Sequence, residues 1–303
     1  MYEGPKTGEA IGEESLSDLQ RAWARELQLM RVARYAATVA GGIGTIVLVG
    51  WTFGIDAFLA LLPGLIVMIP NTALGFVAAS LSLWLLARER TAIAQAHALG
   101  DGSLVTGQGA NPSENRTAHW VVIIAALFVL LLGVLTFIER TTDVDFGIDL
   151  LLFADRVRTY PYLPPGRMAT NSTVGFTLAG AALLLASMRP RDSAPNGPGI
   201  LTQALATAGL AIASIALVGY LYGARPLYAI DQAAGMALLT ALAFAFLHAG
   251  ILFLYPSRGG VGVMSAGDVT ARLVRRLLAS TILGCLTLGW LWIRGRELSL
   301  VGR

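Results

Sequence analysis

Lysine, histidine and cysteine, the side chains that most often do covalent, proton-transfer or metal chemistry, are almost missing from these 303 residues. Lys6 is the only lysine and sits in a polar N-terminal tail, which removes both a phosphate-loop lysine and a Schiff-base lysine. No Gly-x-Ser-x-Gly elbow occurs, and no Cys/His set has zinc spacing. The histidines are His97, His119 and His248, and they do not supply a matched pair of axial haem ligands. His248 lies in the middle of an apolar run. It reads either as a proton or ligand sensor or as a neutral imidazole hydrogen-bonded within a helix bundle. Cys285, alone in the last apolar run, has no partner for an internal disulfide and reads as a small buried apolar side chain. No catalytic residue, metal or cofactor is expected.

Acids, arginines and tyrosines cluster instead at the ends of apolar runs. Asp56, Asp149, Asp231 and the group Glu139, Arg140, Asp143 and Asp145 flank such ends, and Arg156, Arg158, Tyr160, Tyr162 and Arg167 follow. One reading is mutual salt bridging and snorkelling at a membrane interface. The other is a polar cup in which Arg and Tyr recognise a small anionic or aromatic ligand.

These candidates are positioned by a repeated helix entrance. Residues 68–76 read MIPNTALGF and residues 168–176 read MATNSTVGF, identical at four of nine positions. A third copy, GMALLTALAF (235–244), aligns Met236, Ala241 and Phe244 with Met68, Ala73 and Phe76, and puts Leu239 at the Asn position. Upstream, FGID occurs at 53–56 and again at 146–149, while GYLYGARPLYAI (219–230) takes the place of GWTFGIDAF (50–58). Asn71 and Asn171, in the first turn of their helices, are expected to cap orphan backbone N–H groups or to touch a ligand directly. Met and Phe are expected to pack the entrance, and Gly75 and Gly175 to let neighbouring helices approach.

The elements carrying these residues are membrane spans. Charged residues make up 14% of the chain and hydrophobic residues 55%, with a mean hydropathy of +0.65, against roughly 25% charged in soluble domains. Seven charge-poor runs are read as spans at about 35–53, 71–87, 119–138, 171–188, 202–221, 236–255 and 277–293. The expected fold is all-α and polytopic, about seven transmembrane helices built from tandem two-helix parallel repeats. The repeat units are about 35–87, 119–188 and 202–255, with a partial one at 277–303. Two spans per unit give successive units the same orientation. Residues 1–34 form a tail whose segment 15–34 is a basic amphipathic helix suited to an anionic inner leaflet. Residues 35–303 form one membrane-embedded domain. Fourteen Lys and Arg fall on one side of this topology and eight on the other, so the N-terminus is expected inside and the C-terminus outside. The basic excess reports topology, and nucleic acid is not an expected partner. Ala37, Gly41 and Thr45 offer a small-residue stripe for helix contacts.

The strings PGRMATNSTVGF, GYLYGARPLYAI, GMALLTALAFAFLHAGILF and ARLVRRLL followed by GW resemble the N-terminal membrane input region of bacterial sensor histidine kinases, also found ahead of PAS and diguanylate-cyclase domains. The resemblance covers roughly residues 35–300. It differs at Thr170, where the family has Pro, and at Leu239, where it commonly has His. It implies an eight-span sensor in a bacterial cytoplasmic membrane whose last helix feeds a cytoplasmic output domain. This chain is therefore expected to be a sensory input module lacking that last helix and output domain, sensing an unknown ligand or membrane state at its outer face. The alternative is a non-catalytic accessory subunit of a larger membrane complex. Lipid, and a second copy or another membrane protein, are the expected partners.

Overall fold

Proline opens three of the long helices, at Pro70, Pro112 and Pro198. Its fixed φ suits a first helical turn, and its missing N–H costs nothing there. The computed structural model describes residues 7–99, 112–142, 144–160, 165–188, 198–229 and 235–256, plus positions 262, 272, 276, 287, 289 and 290. The helices are α1 (Thr7–Phe53), α2 (Pro70–Leu99), α3 (Pro112–Thr141), the single turn α4 (Ala154–Val157), α5 (Thr170–Ser187), α6 (Pro198–Leu221) and α7 (Leu238–Leu252). Two 3-10 turns, Asp56–Phe58 and Arg225–Leu227, lie in the first and last loops. No strand occurs among the described residues.

The six expected spans between residues 35 and 255 each coincide with a helix. The seventh, 277–293, lies almost wholly outside the described residues, as does Asp231. Two boundaries differ from expectation. The amphipathic segment 15–34 and the span 35–53 form one unbroken helix of 47 residues, about 70 Å long at 1.5 Å per residue. Neither Pro nor Gly lies near the junction of the two segments at Arg34 and Tyr35, so one helix runs through it. Helix α2 likewise runs on past Ala87 to Leu99, carrying Arg88 and Arg90 with it.

Four helices are long and apolar enough to cross a membrane: Ala24–Phe53, Pro70–Gln95, Arg116–Thr141 and Gly199–Leu221. Helix α7 is apolar and shorter, at 15 residues. The outward faces of α1, α3 and α6 expose Val39, Ile46, Ile124, Leu127, Leu131 and Ile215, a bare apolar girdle that suits lipid rather than water. The chain is a helical membrane protein.

The helices pack as a closed ring in the order α1, α2, α3, α5, α6, α7, with α2, α5 and α7 also touching one another at the centre. The three inner helices run parallel. At mid-depth Phe76, Phe176 and Phe244 meet with ring centroids 4.6–4.9 Å apart, close to an equilateral triangle. Glycine makes this possible. A Cβ on Gly75 would sit 2.8 Å from the Phe176 ring, and one on Gly175 would sit 2.8 Å from the Phe244 ring. Lipid tails are as apolar as these side chains, so close packing rather than water exclusion holds the helices together. The small-residue stripe is used in part: Ala37 and Gly41 are packed, with Gly41 against Ser80, whereas Thr45 is exposed and bonds its own helix.

Arg90 locks the far end of the bundle. Its Nη2 donates to Ala186 O (2.9 Å) and to the Tyr255 hydroxyl (2.7 Å), and its Nη1 donates to Leu254 O (3.1 Å). A guanidinium suits these helix C-termini, where carbonyls lack partners and the helix dipole is negative.

Candidate functional site

At the opposite end the chain turns back three times, and each turn ends on a buried methionine: Met68, Met168 and Met236. Their carbonyls are held by side chains from the last turns of the preceding long helices. Trp51 Nε1 donates to Met68 O (2.9 Å), Arg140 Nη1 to Met168 O (2.7 Å), and the Tyr220 hydroxyl to Met236 O (2.7 Å). Three chemically different donors do one job, which is why sequence comparison of the copies missed it.

The first and third turns are built alike. Gly54 (φ +77°) and Gly223 (φ +64°) leave their helices in the left-handed conformation, and the next residues donate back, Ile55 N to Gly50 O and Ala224 N to Gly219 O. The second turn differs. Its FGID is displaced along the chain, so Asp149 does not occupy the position of Asp56. Asp56 is exposed, whereas Asp149 is buried with 7% of its surface accessible. The sequence echo at FGID is therefore not a structural equivalence.

Asp56, Arg156 and Tyr160 do come together. Arg156 Nη2 and the Tyr160 hydroxyl both donate to Asp56 Oδ1, at 2.7 and 2.8 Å. Those bonds hold the Asp56 carboxyl below the usual carboxylate range. Arg156 Nη1 also donates to Gly50 O (2.9 Å) and Trp51 O (2.8 Å), and Tyr160 packs edge-on to Trp51 at 5.3 Å. Arg156 thus caps the C-terminus of α1 from the second loop, and its donors are spent on the protein rather than offered to a ligand. Arg158 lies apart, exposed and 3.6 Å from Asp155.

Arg167 and Asp149 form the second pair, Nε to Oδ2 at 2.8 Å. Burial pushes the Asp149 carboxyl up, against the opposing pull of Arg167. Its Oδ1 is buried without a partner among the described residues.

The asparagines do not cap. Each is the second residue of its helix, and the N-cap of α5 is Ala169, with no side-chain hydrogen bond. Asn71 Nδ2 instead donates across to Ile148 O, tying the second loop to the entrance of α2. Asn171 is buried with Oδ1 unpartnered among the described residues. A proline or threonine at the first helical position and an unadorned Ile69 or Ala169 before it leave the cap role to no side chain.

What the three entrances line together is a half-open cavity of about 20 Å³. Its walls repeat in three layers: Val67, Arg167 and Gly235 at the rim; Ile69, Ala169 and Ala237 below; then the hydroxyl-bearing Thr72, Ser172 and Thr240. The asparagines do not line it. The hydroxyl residues are the site that sequence reasoning passed over. The available signal was the Ser/Thr following each Asn, kept as Thr240 where the Asn itself is replaced by Leu239.

His248 is fully buried in α7, stacked on Phe244 at 5.7 Å. The Gly175 backbone is the polar group its ring meets, without a well-formed hydrogen bond to either ring nitrogen among the described residues. The imidazole is one turn below the phenylalanine triad and well away from the cavity walls. No His, Cys, Asp and Glu group able to hold a metal occurs among the described residues.

In comparisons with known proteins, no family model, no curated protein and no solved structure matches the chain.

Proposed function

We propose that this chain is a membrane-embedded sensory input module that receives its stimulus at the loop-bearing end of the bundle. That end faces the periplasm of a bacterial cytoplasmic membrane in this reading, which the bias of fourteen basic residues against eight supports. The bundle is read as three tandem copies of a two-helix unit, with a fourth begun after residue 277. Corresponding Met, Phe and hydroxyl residues at corresponding depths support that reading. One observation carries the functional proposal. The cavity takes its walls from all three entrances, and the helices that form it run to the opposite end, where Arg90 joins two of them. An occupant that prefers one packing of the entrances biases the far ends of the same rods. The sequence resemblance to kinase input regions gives this bias an output to act on.

The test is a chimera joining the chain, through one further helix, to a histidine-kinase output. Arg167→Gln and Asp149→Asn are each expected to shift basal kinase output and blunt its response to periplasmic solutes. Unchanged output and response, with both variants present in the membrane at normal level, refutes the sensory reading and favours an accessory subunit.

A further inference from the structure

We infer that the cavity at the three entrances is a binding site for one small monovalent anion, of chloride or bromide size. Three parallel helices, α2, α5 and α7, aim their N-termini at this point, and the N-caps of α5 and α7 carry no side-chain hydrogen bond. Each helix brings unpaired N–H groups and the positive end of its dipole. Helix ends alone make no site. The second observation is the hydroxyl layer. Thr72, Ser172 and Thr240 stand at the third position of their helices, lining the cavity, with only 3%, 2% and 2% of their surface accessible. None of the three hydroxyls bonds to a protein group among the described residues. All three line the same cavity, and a hydroxyl can donate to an anion placed there.

Charge decides what fills it. Three positive helix ends repel a cation. Arg167 at the rim is offset in charge by Asp149 at its Nε, but both its Nη groups lack a protein partner among the described residues and can donate to an anion. Size and lining decide the rest. About 20 Å³ holds one water-sized or halide-sized species, since a water needs roughly 10–15 Å³ on the same measure. The apolar Ile69 and Met168 in the lining disfavour a strongly hydrated ion such as sulfate or phosphate. This deepens the sensory proposal by naming the ligand class of the same site, and its test is a binding measurement independent of any output.

The full chain, purified in nanodiscs, is titrated with sodium bromide against sodium gluconate at constant ionic strength while its melting temperature is followed. The expected result is a saturable rise with bromide. Ser172→Ala should raise the half-saturating concentration roughly tenfold or more, as loss of a hydrogen bond to a charged group does. The isosteric triple variant Thr72→Val, Ser172→Ala, Thr240→Val should abolish the rise. No saturable rise in the unaltered protein, or a rise that survives the triple change, overturns the assignment. Crystals of the unaltered protein grown with bromide give a check that needs no variant. An anomalous peak among the three hydroxyls supports the site, and a water there with bromide elsewhere overturns it. If binding fails while the kinase chimera still responds to Arg167→Gln, the anion is wrong and the sensory reading stands.

Discussion

Gly209 faces the imidazole of His248 across the α6–α7 contact, and a methyl group there has no space. An ideal Cβ would fall 2.5 Å from His248 Nδ1 and closer still to Cε1 and Nε2. The ring cannot swing aside freely, because it is fully buried and stacked on Phe244. Overpacking costs about 1–3 kcal/mol, and overlap with a rigid ring puts Gly209→Ala at the upper end. Alanine returns ~1 kcal/mol of helix propensity over glycine, so the net loss is about 2 kcal/mol. In a His248→Ala background the ring is gone and only the propensity gain remains. The same Gly209→Ala change should then stabilise by ~1 kcal/mol, a coupling of about 3 kcal/mol between the two positions. Two other helix contacts are also close: a Cβ on Gly41 would meet the Ser80 side chain, and one on Gly180 would meet the Leu130 backbone. The assay is reversible unfolding in mixed micelles for the four proteins of the cycle. Gly209→Ala harming both backgrounds equally would show that this glycine serves backbone approach and not the imidazole.

Further predictions concern the two ends of the bundle. Tyr220→Phe removes the donor to Met236 O and should cost about 1 kcal/mol in the same unfolding assay; no loss would mean that this carbonyl does not need its partner. Arg90→Gln strips three bonds from the C-termini of α5 and α7, and hydrogen exchange should rise at residues 252–255 while the phenylalanine triad stays protected. Burial raises the folded-state pKa of Asp149 above 3.8, so the folded protein holds that proton to higher pH than the unfolded chain does. Stability should therefore fall as pH rises from 3.8 through the raised value, and Asp149→Asn should remove that part of the slope. Asp56 carries the opposite sign, its lowered pKa giving stability that is lost as pH falls below 3.8, and Asp56→Asn should flatten that limb.

Much of the architecture was legible in the chain. Charge-free runs set the helices, because a bilayer core forbids unpaired backbone and unpaired charge alike. The Met and Phe of each copy, with Gly75 and Gly175, foretold a packed entrance, since ring and notch are both written as residue types. Local signals failed where partners lie far off in sequence. Asn71 looked like a cap because caps are local, yet its partner is Ile148 O, 77 residues away. Arg156 and Tyr160 looked available to a ligand, yet Asp56 and the end of α1 take their hydrogen bonds.

By itself the sequence determined the helical membrane class, the three entrances and the polar groups gathered near them. Hydrophobic period, prolines and glycines act within a few residues, so they can be read along the chain. Only the tertiary structure decided which polar groups consume one another and which are left facing a shared space. Three hydroxyls on three helices become one site only when the ring closes, for convergence is a property of packing and no segment carries it alone.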